Sequence, residues 1–286
     1  MTHPAVPSTF LFCPGNRPDR YDKALRGGVP GVIIDLEDAV PAADKAAARC
    51  DALAWLAARP AAVAGAPVVA LRVSSPQTPA GLEDLYALAH GGALPALDLV
   101  VVPKAEDASE LRMVHVHAAA GNPALRVMAL VESARGVRRA AAIAGAGPWL
   151  AALAFGAADF SVEIGADNDW EALAHVRGRL LFEAAGSGVP VLDVPHIDIA
   201  DDEGLRTDCA RARAMGFHGK LAIHPRQWPL IAQAFAPDPG RLAWARAVAA
   251  AYEAAGGRAC TVAGTMVDEP VYQGACRILR RAAAWA

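Results

Sequence analysis

The sequence lacks most of the marks that would assign it quickly. No block of Lys or Arg occurs in its 286 residues, and 27 basic against 30 acidic side chains leave a formal charge of -3. That balance offers no electrostatic footprint for nucleic acid or an anionic membrane surface. Cysteine is sparse: Cys13, Cys50, Cys209, Cys260 and Cys276 are scattered and show no C-x-x-C spacing. A disulfide framework and a thiolate zinc site are thereby excluded, and a reducing compartment is expected. No apolar run is long enough to span a bilayer, and MTHPAVPSTF at the start has no charged-then-apolar signal pattern. A cytoplasmic protein without membrane or nucleic-acid partners is the expectation. The H-E-x-x-H, G-x-S-x-G and P-loop patterns are also missing.

What is present is repetition. Short, β-branched-rich apolar runs recur at 8–15, 31–37, 67–73, 97–104, 125–132, 151–158, 189–195 and 220–225. Between them, stretches such as DKAAARCDALAWLAA, LEDLYALAH and WEALAHVRGRLLFEAAG place apolar residues three and four apart, the period of a helix. Eight strand-then-helix units with strands apolar throughout predict a parallel sheet covered by helices. Eight is also the count that closes a (β/α)8 TIM barrel, the expected α/β fold. The alternative, an open doubly wound sheet, usually carries G-x-G-x-x-G after its first strand, and here that turn reads CPGNR. Residues 1–225 are assigned to the barrel core. Residues 226–286 are read as the last barrel helix plus a C-terminal extension of the same domain, helical apart from an extended segment at CTVAGTMV.

Barrel active sites lie at the C-terminal ends of the strands, and here those ends are charged. In order they carry Asn16 and Arg17; Asp35, Glu37 and Asp38; Arg72; Lys104 and Glu106; Glu132 and Arg135; Asp159; Asp193 and His196; His224 and Arg226. Any one is unremarkable in a loop, but packing does not require every strand to end in charge. Glu132 and Asp159 follow buried runs directly and have no His or Cys nearby, a donor set suited to Mg²⁺ or Mn²⁺. The bland alternative pairs Glu132 with Arg135 and makes Asp159 a helix cap. Arg72 could grip a carboxylate or stabilise an oxyanion, or pair with Glu37 or Asp38, or both. Asp35 is assigned to barrel structure, and Glu37 and Asp38 to orienting the arginine and metal-bound water. His115 and His117, two apart on a helix, cannot chelate together.

FLFCPGNRPDRYDKAL, VIIDLEDAV, ALRVSSPQT, VVPKAE, ALVESARGV, LAFGAADFSVEIG and GFHGKLAIHPRQ together resemble, in order and spacing, the HpcH/HpaI aldolase and citrate lyase β-subunit family. The resemblance runs from about residue 8 to residue 275. It implies a Mg²⁺-dependent barrel that makes or breaks a carbon–carbon bond beside a carboxylate or thioester. Glu132 and Asp159 match the family's metal-ligating carboxylates, and Arg72 its substrate-binding arginine, which would neutralise an enolate oxygen. GTMVDEPVYQGA is similar to the C-terminal motif of malyl-CoA and citramalyl-CoA lyases, in which an aspartate matching Asp268 serves as acid/base on a neighbouring subunit. From the residues alone, Asp268 is either a turn residue or a carboxylate delivered to a desolvated site. The resemblance thus implies a lyase acting on a 3-hydroxyacyl-CoA to give a 2-oxo acid and an acyl-CoA, assembled as a homotrimer or hexamer. Arg17 and Lys23 are candidates for the coenzyme A phosphates. The alternatives are a citrate lyase β subunit acting on a citryl thioester of an acyl carrier protein, and a catalytically silent binding barrel. DVPHID, after the seventh strand, departs from the branch patterns and bears on which acid is bound.

Overall fold

A computed structural model describes residues 6–63 and 65–285. Residues 1–5, half of the segment read for a signal pattern, lie outside the described residues. The chain forms two compact units, Met1–Ala234 and Phe235–Ala286.

The first unit holds eight parallel strands in sequential order: β1 (Leu11–Pro14), β2 (Gly31–Asp35), β3 (Val68–Arg72), β4 (Leu99–Val102), β5 (Arg126–Val131), β6 (Leu150–Phe155), β7 (Val191–Asp193) and β8 (Gly219–Lys220). The chain just past β8 returns to β1. Phe12 N donates to Ala222 O and Ala222 N to Phe10 O, both at 2.8 Å, so the sheet curls round on itself. Between strands run α1 (Tyr21–Arg26), α2 (Lys45–Ala57), α3 (Pro79–His90), α4 (Ala108–Ala118), α5 (Ala134–Arg138), α6 (Ala140–Ala144), α7 (Ala157–Ile164), α8 (Trp170–Ala185) and α9 (Asp202–Met215). The next helix, α10 (Gln227–Phe235), belongs to this unit in all but its final residue. The starts of several helices are set locally: Thr78, Asp107, Ser133, Asp169 and Asp201 each accept a hydrogen bond from an otherwise free first-turn amide.

Alternation along the strands decides which side chains enter the barrel. Phe10, Ile33, Val68, Ala70, Leu99, Val101, Met128, Leu130, Ala152, Ala154, Leu192 and Leu221 form one buried cluster. Counting on by two from Ile33, Ala70, Leu130 and Ala154 reaches Asp35, Arg72, Glu132 and Gly156. The layer above the apolar core is therefore the polar one.

Opposite parity sends Asp193 and Lys220 the other way, which corrects the expectation that Asp193 belongs to the rim. Asp193 is fully buried and accepts from Arg177 Nε of α8 at 2.9 Å and from Lys220 Nζ at 2.7 Å. The two cations hold its carboxyl low against the opposing effect of burial.

The second unit contains α11 (Pro239–Ala254), a hairpin of β9 (Cys260–Val262) and β10 (Thr265–Val267), and α12 (Glu269–Trp285). Its core gathers Ala245, Val248, Tyr252, Val267 and Ala275. Tyr252 stacks on Tyr272 with ring centroids 4.7 Å apart.

Candidate active site

Asp35 and Arg72 are register partners on adjacent strands, so their side chains rise together on the inner face. Arg72 donates to both Asp35 oxygens, Nε to Oδ1 at 2.6 Å and Nη2 to Oδ2 at 2.7 Å. Asp35 also accepts the amides of Glu37 (2.9 Å) and Ala39 (3.1 Å). Both side chains are nearly sealed, and a buried carboxylate is tolerable only with such saturation. Here the expected division of labour changes. The carboxylate that orients Arg72 is Asp35, while Glu37 reaches Nη1 at 3.0 Å and the exposed Asp38 at only 3.4 Å. Arg72 Nη1 thus has the loosest contacts, and the guanidinium also lies 4.9 Å from the Phe12 ring centroid.

Glu37 bridges two cations. Its Oε1 accepts from Lys104 Nζ at 2.6 Å. Its buried Oε2 accepts no hydrogen bond among the described residues, because Arg72 Nη1 approaches without the alignment one needs. Burial raises the Glu37 carboxyl, against the lowering pull of Arg72 and Lys104.

Glu132 sits one residue beyond β5 and is 4% exposed. It does not pair with Arg135, which lies 3.5 Å from Glu106 instead. Its Oε1 accepts the backbone amide of Lys104 at 2.7 Å. Burial first, then repulsion from Glu37 and Asp159, pushes its carboxyl up to about 8. Asp159, in the first turn of α7, is half exposed and stands 3.7 Å from Lys104 Nζ.

A cavity of about 410 Å³ opens over these groups. Asp35, Asp38, Arg72, Glu132 and Asp159 line its polar side, and Phe12, Leu130, Phe155, Val194, Leu221 and Ile223 its apolar side. Of the residues singled out in the sequence, Asp38, Arg72, Glu132 and Asp159 therefore meet at this cavity, and Glu37 adjoins it through Arg72 and Lys104. Arg17 does not join them: Asp19 engages it through two 2.9 Å bonds at the surface. Lys23 lines a second cavity of about 670 Å³ with Arg20, Arg26, His224 and Trp228. The two cavities share Phe12, Pro14 and Ile223 as walls. Asp268 belongs to the second unit, where its Oδ1 accepts the Val271 amide at 3.2 Å in the first turn of α12.

The donors fit a hard divalent cation. Repulsion between Glu132 and Asp159 is the kind that bound positive charge relieves. No set of three or more His, Cys, Asp or Glu suited to a metal occurs among the described residues. Two carboxylates leave the remaining positions to water and substrate, as Mg²⁺ prefers. The backbone preserves this cradle at Gly156, where a Cβ would lie 2.3 Å from Glu132 Oε2. Residue-by-residue reading missed Asp35 as the partner of Arg72, Lys104 as a link among carboxylates, and Gly156. Counting strand parity could have found the first.

The model of the HpcH/HpaI aldolase/citrate lyase family matches residues 8–225. A citrate lyase subunit beta-like protein of Mycobacterium tuberculosis is 38% identical over 280 residues, covering 96% of this chain and 94% of the relative. A (3S)-malyl-CoA thioesterase of Cereibacter sphaeroides is 34% identical over 258 residues, covering 89% and 86%. Among solved structures, CitE of M. tuberculosis in complex with magnesium, acetoacetate and coenzyme A is 36% identical, covers 98% of both chains and superposes with a TM-score of 0.76.

Proposed function

The chain belongs to the HpcH/HpaI aldolase/citrate lyase family and is one of its lyases, and from that premise we propose a Mg²⁺-dependent carbon–carbon lyase of 3-hydroxyacyl-CoA thioesters. The substrate would be a compound such as malyl-CoA or citramalyl-CoA, cleaved to a 2-oxo acid and an acyl-CoA or assembled from them. The observation that carries this reading is the meeting of Glu132, Asp159 and an Asp35-braced Arg72 around one cavity.

Glu132 and Asp159 are the residues that would hold Mg²⁺, with Mn²⁺ as a substitute. When bound, the ion supplies Lewis-acid polarisation of the carbonyl that forms on the 2-oxo acid. Arg72 Nη1, least committed of the guanidinium nitrogens, neutralises the enolate oxygen of the departing acyl-CoA. Asp35 fixes the guanidinium plane, and Glu37 and Asp38 set its remaining edge. The apolar wall of Phe12, Leu130, Phe155 and Val194 keeps water from the enolate carbon. As the substrate hydroxyl becomes the 2-oxo carbonyl its proton passes to solvent, and Asp268 gives the enolate carbon a proton in cleavage or removes one in condensation, supplied by a neighbouring copy within a homotrimer or hexamer. Lys23, with Arg20 and Arg26, meets the coenzyme A phosphates in the adjoining cavity. The coenzyme A and magnesium in the M. tuberculosis CitE complex support these ligand classes.

The test is cleavage of malyl-CoA, citramalyl-CoA and citrate by the purified chain, with Mg²⁺ and with EDTA. Metal-dependent release of glyoxylate or pyruvate is expected, and Mg²⁺ binding without turnover of any free thioester refutes the proposal. The name of the M. tuberculosis relative favours a second reading, a citrate lyase β subunit acting on a citryl-acyl carrier protein. Under that reading, product appears only when the carrier-bound thioester is supplied.

A further inference from the structure

Lys104, two residues past β4, holds a left-handed backbone with φ 50°, a strained conformation for any residue with a side chain. The turn is pinned from behind, since Ala105 N donates to Leu130 O at 3.0 Å. Within it, Lys104 touches three of the carboxylates at the barrel mouth. Its amide holds Glu132 Oε1 at 2.7 Å, and its ammonium holds Glu37 Oε1 at 2.6 Å and stands 3.7 Å from Asp159 Oδ2. A glycine would satisfy the backbone and present the same amide, so only the ammonium calls for lysine here. The lysine side chain is 42% exposed, and its ammonium borders Glu37 and Asp159, the second of which is one of the two carboxylates a metal would use.

We propose that Lys104 is a positioning residue with two opposed effects: its amide fixes Glu132, and its ammonium is a resident cation that a divalent metal must displace from Asp159. In the metal-free site the ammonium offsets part of the charge of Glu37 and Asp159. A dication between Glu132 and Asp159 repels it at close range, and the ammonium retreats onto Glu37, its shorter contact. The resident cation thereby weakens metal affinity while stabilising the metal-free site.

This rests on Glu132 and Asp159 being the metal ligands, so the test carries its own control. Mg²⁺ affinity is measured by calorimetry on the full chain and on Lys104→Met, Lys104→Gly, Lys104→Arg, Glu132→Gln and Asp159→Asn. Lys104→Met is expected to bind Mg²⁺ about 10-fold more tightly, with a lower melting temperature when metal-free. Lys104→Gly, which keeps the backbone turn, should show the same gain if the methionine variant folds poorly, and Lys104→Arg should bind like the parent. Unchanged or weaker binding by both Lys104→Met and Lys104→Gly overturns the proposal, since a purely structural lysine would only lower affinity on removal. Undiminished binding by Glu132→Gln and Asp159→Asn overturns the ligand assignment instead, and this inference with it.

Discussion

Lowering the pH from about 8 to about 6 should weaken Mg²⁺ binding roughly 50-fold. Glu132 is 4% exposed, and burial together with Glu37 and Asp159 raises its carboxyl from the ordinary 4.5 to about 8. A hard cation takes the carboxylate form, so below that value each ion bound must expel a proton. The loss in apparent affinity steepens below about 8 toward about tenfold per pH unit. The metal-free chain responds in the opposite sense. Because the folded value lies above the unfolded one, the folded state carries the extra proton between about 4.5 and 8. The stability this contributes is fully present below about 4.5 and is lost as pH rises through about 8. Saturating Mg²⁺ should remove that decline. Calorimetric titrations in two buffers of different ionisation enthalpy check both points. About one proton should be released per ion near pH 6, falling toward none above about pH 8. Affinity that stays constant over this range, with no proton release, would refute the placement of Glu132 as a metal ligand.

Arg72→Lys keeps the charge but not the two-pronged grip on Asp35, so turnover should fall on the order of 100- to 1000-fold. Arg72→Ala should do the same and also lose about 3–5 kcal/mol in urea unfolding, because it strands the buried Asp35 carboxylate. Gly156→Ala drives a Cβ to within 2.3 Å of Glu132 Oε2, and calorimetry should find its Mg²⁺ affinity largely lost while circular dichroism stays native. Lys220→Met leaves the fully buried Asp193 with Arg177 alone, and a urea melt should register a loss of about 3–5 kcal/mol.

Much of the fold is legible along the chain because barrel strands are local features. Eight apolar runs, each followed by a helical stretch and several of those helices capped locally, predict the strand order found here. The charged strand ends mark the working face in advance, for the same reason that buried runs cannot stop in carboxylates without a purpose. Opposite in kind are the facts that depend on which strand lies beside which. Strand parity puts Asp35 and Arg72 on the same inner face, but only the register of β2 on β3 sets them side by side, and it turns an assumed structural aspartate into the arginine's main partner. Likewise Asp193 looks like one more rim carboxylate until alternation from Leu192 sends it toward α8 and Lys220. Lys104 reads as one more charge at a strand end, and only the folded turn sets its amide and ammonium against carboxylates 28 and 67 residues away. Composition and periodicity are written residue by residue and so determined the elements, whereas the charge pairing at the barrel mouth is a long-range property that the tertiary structure alone decided.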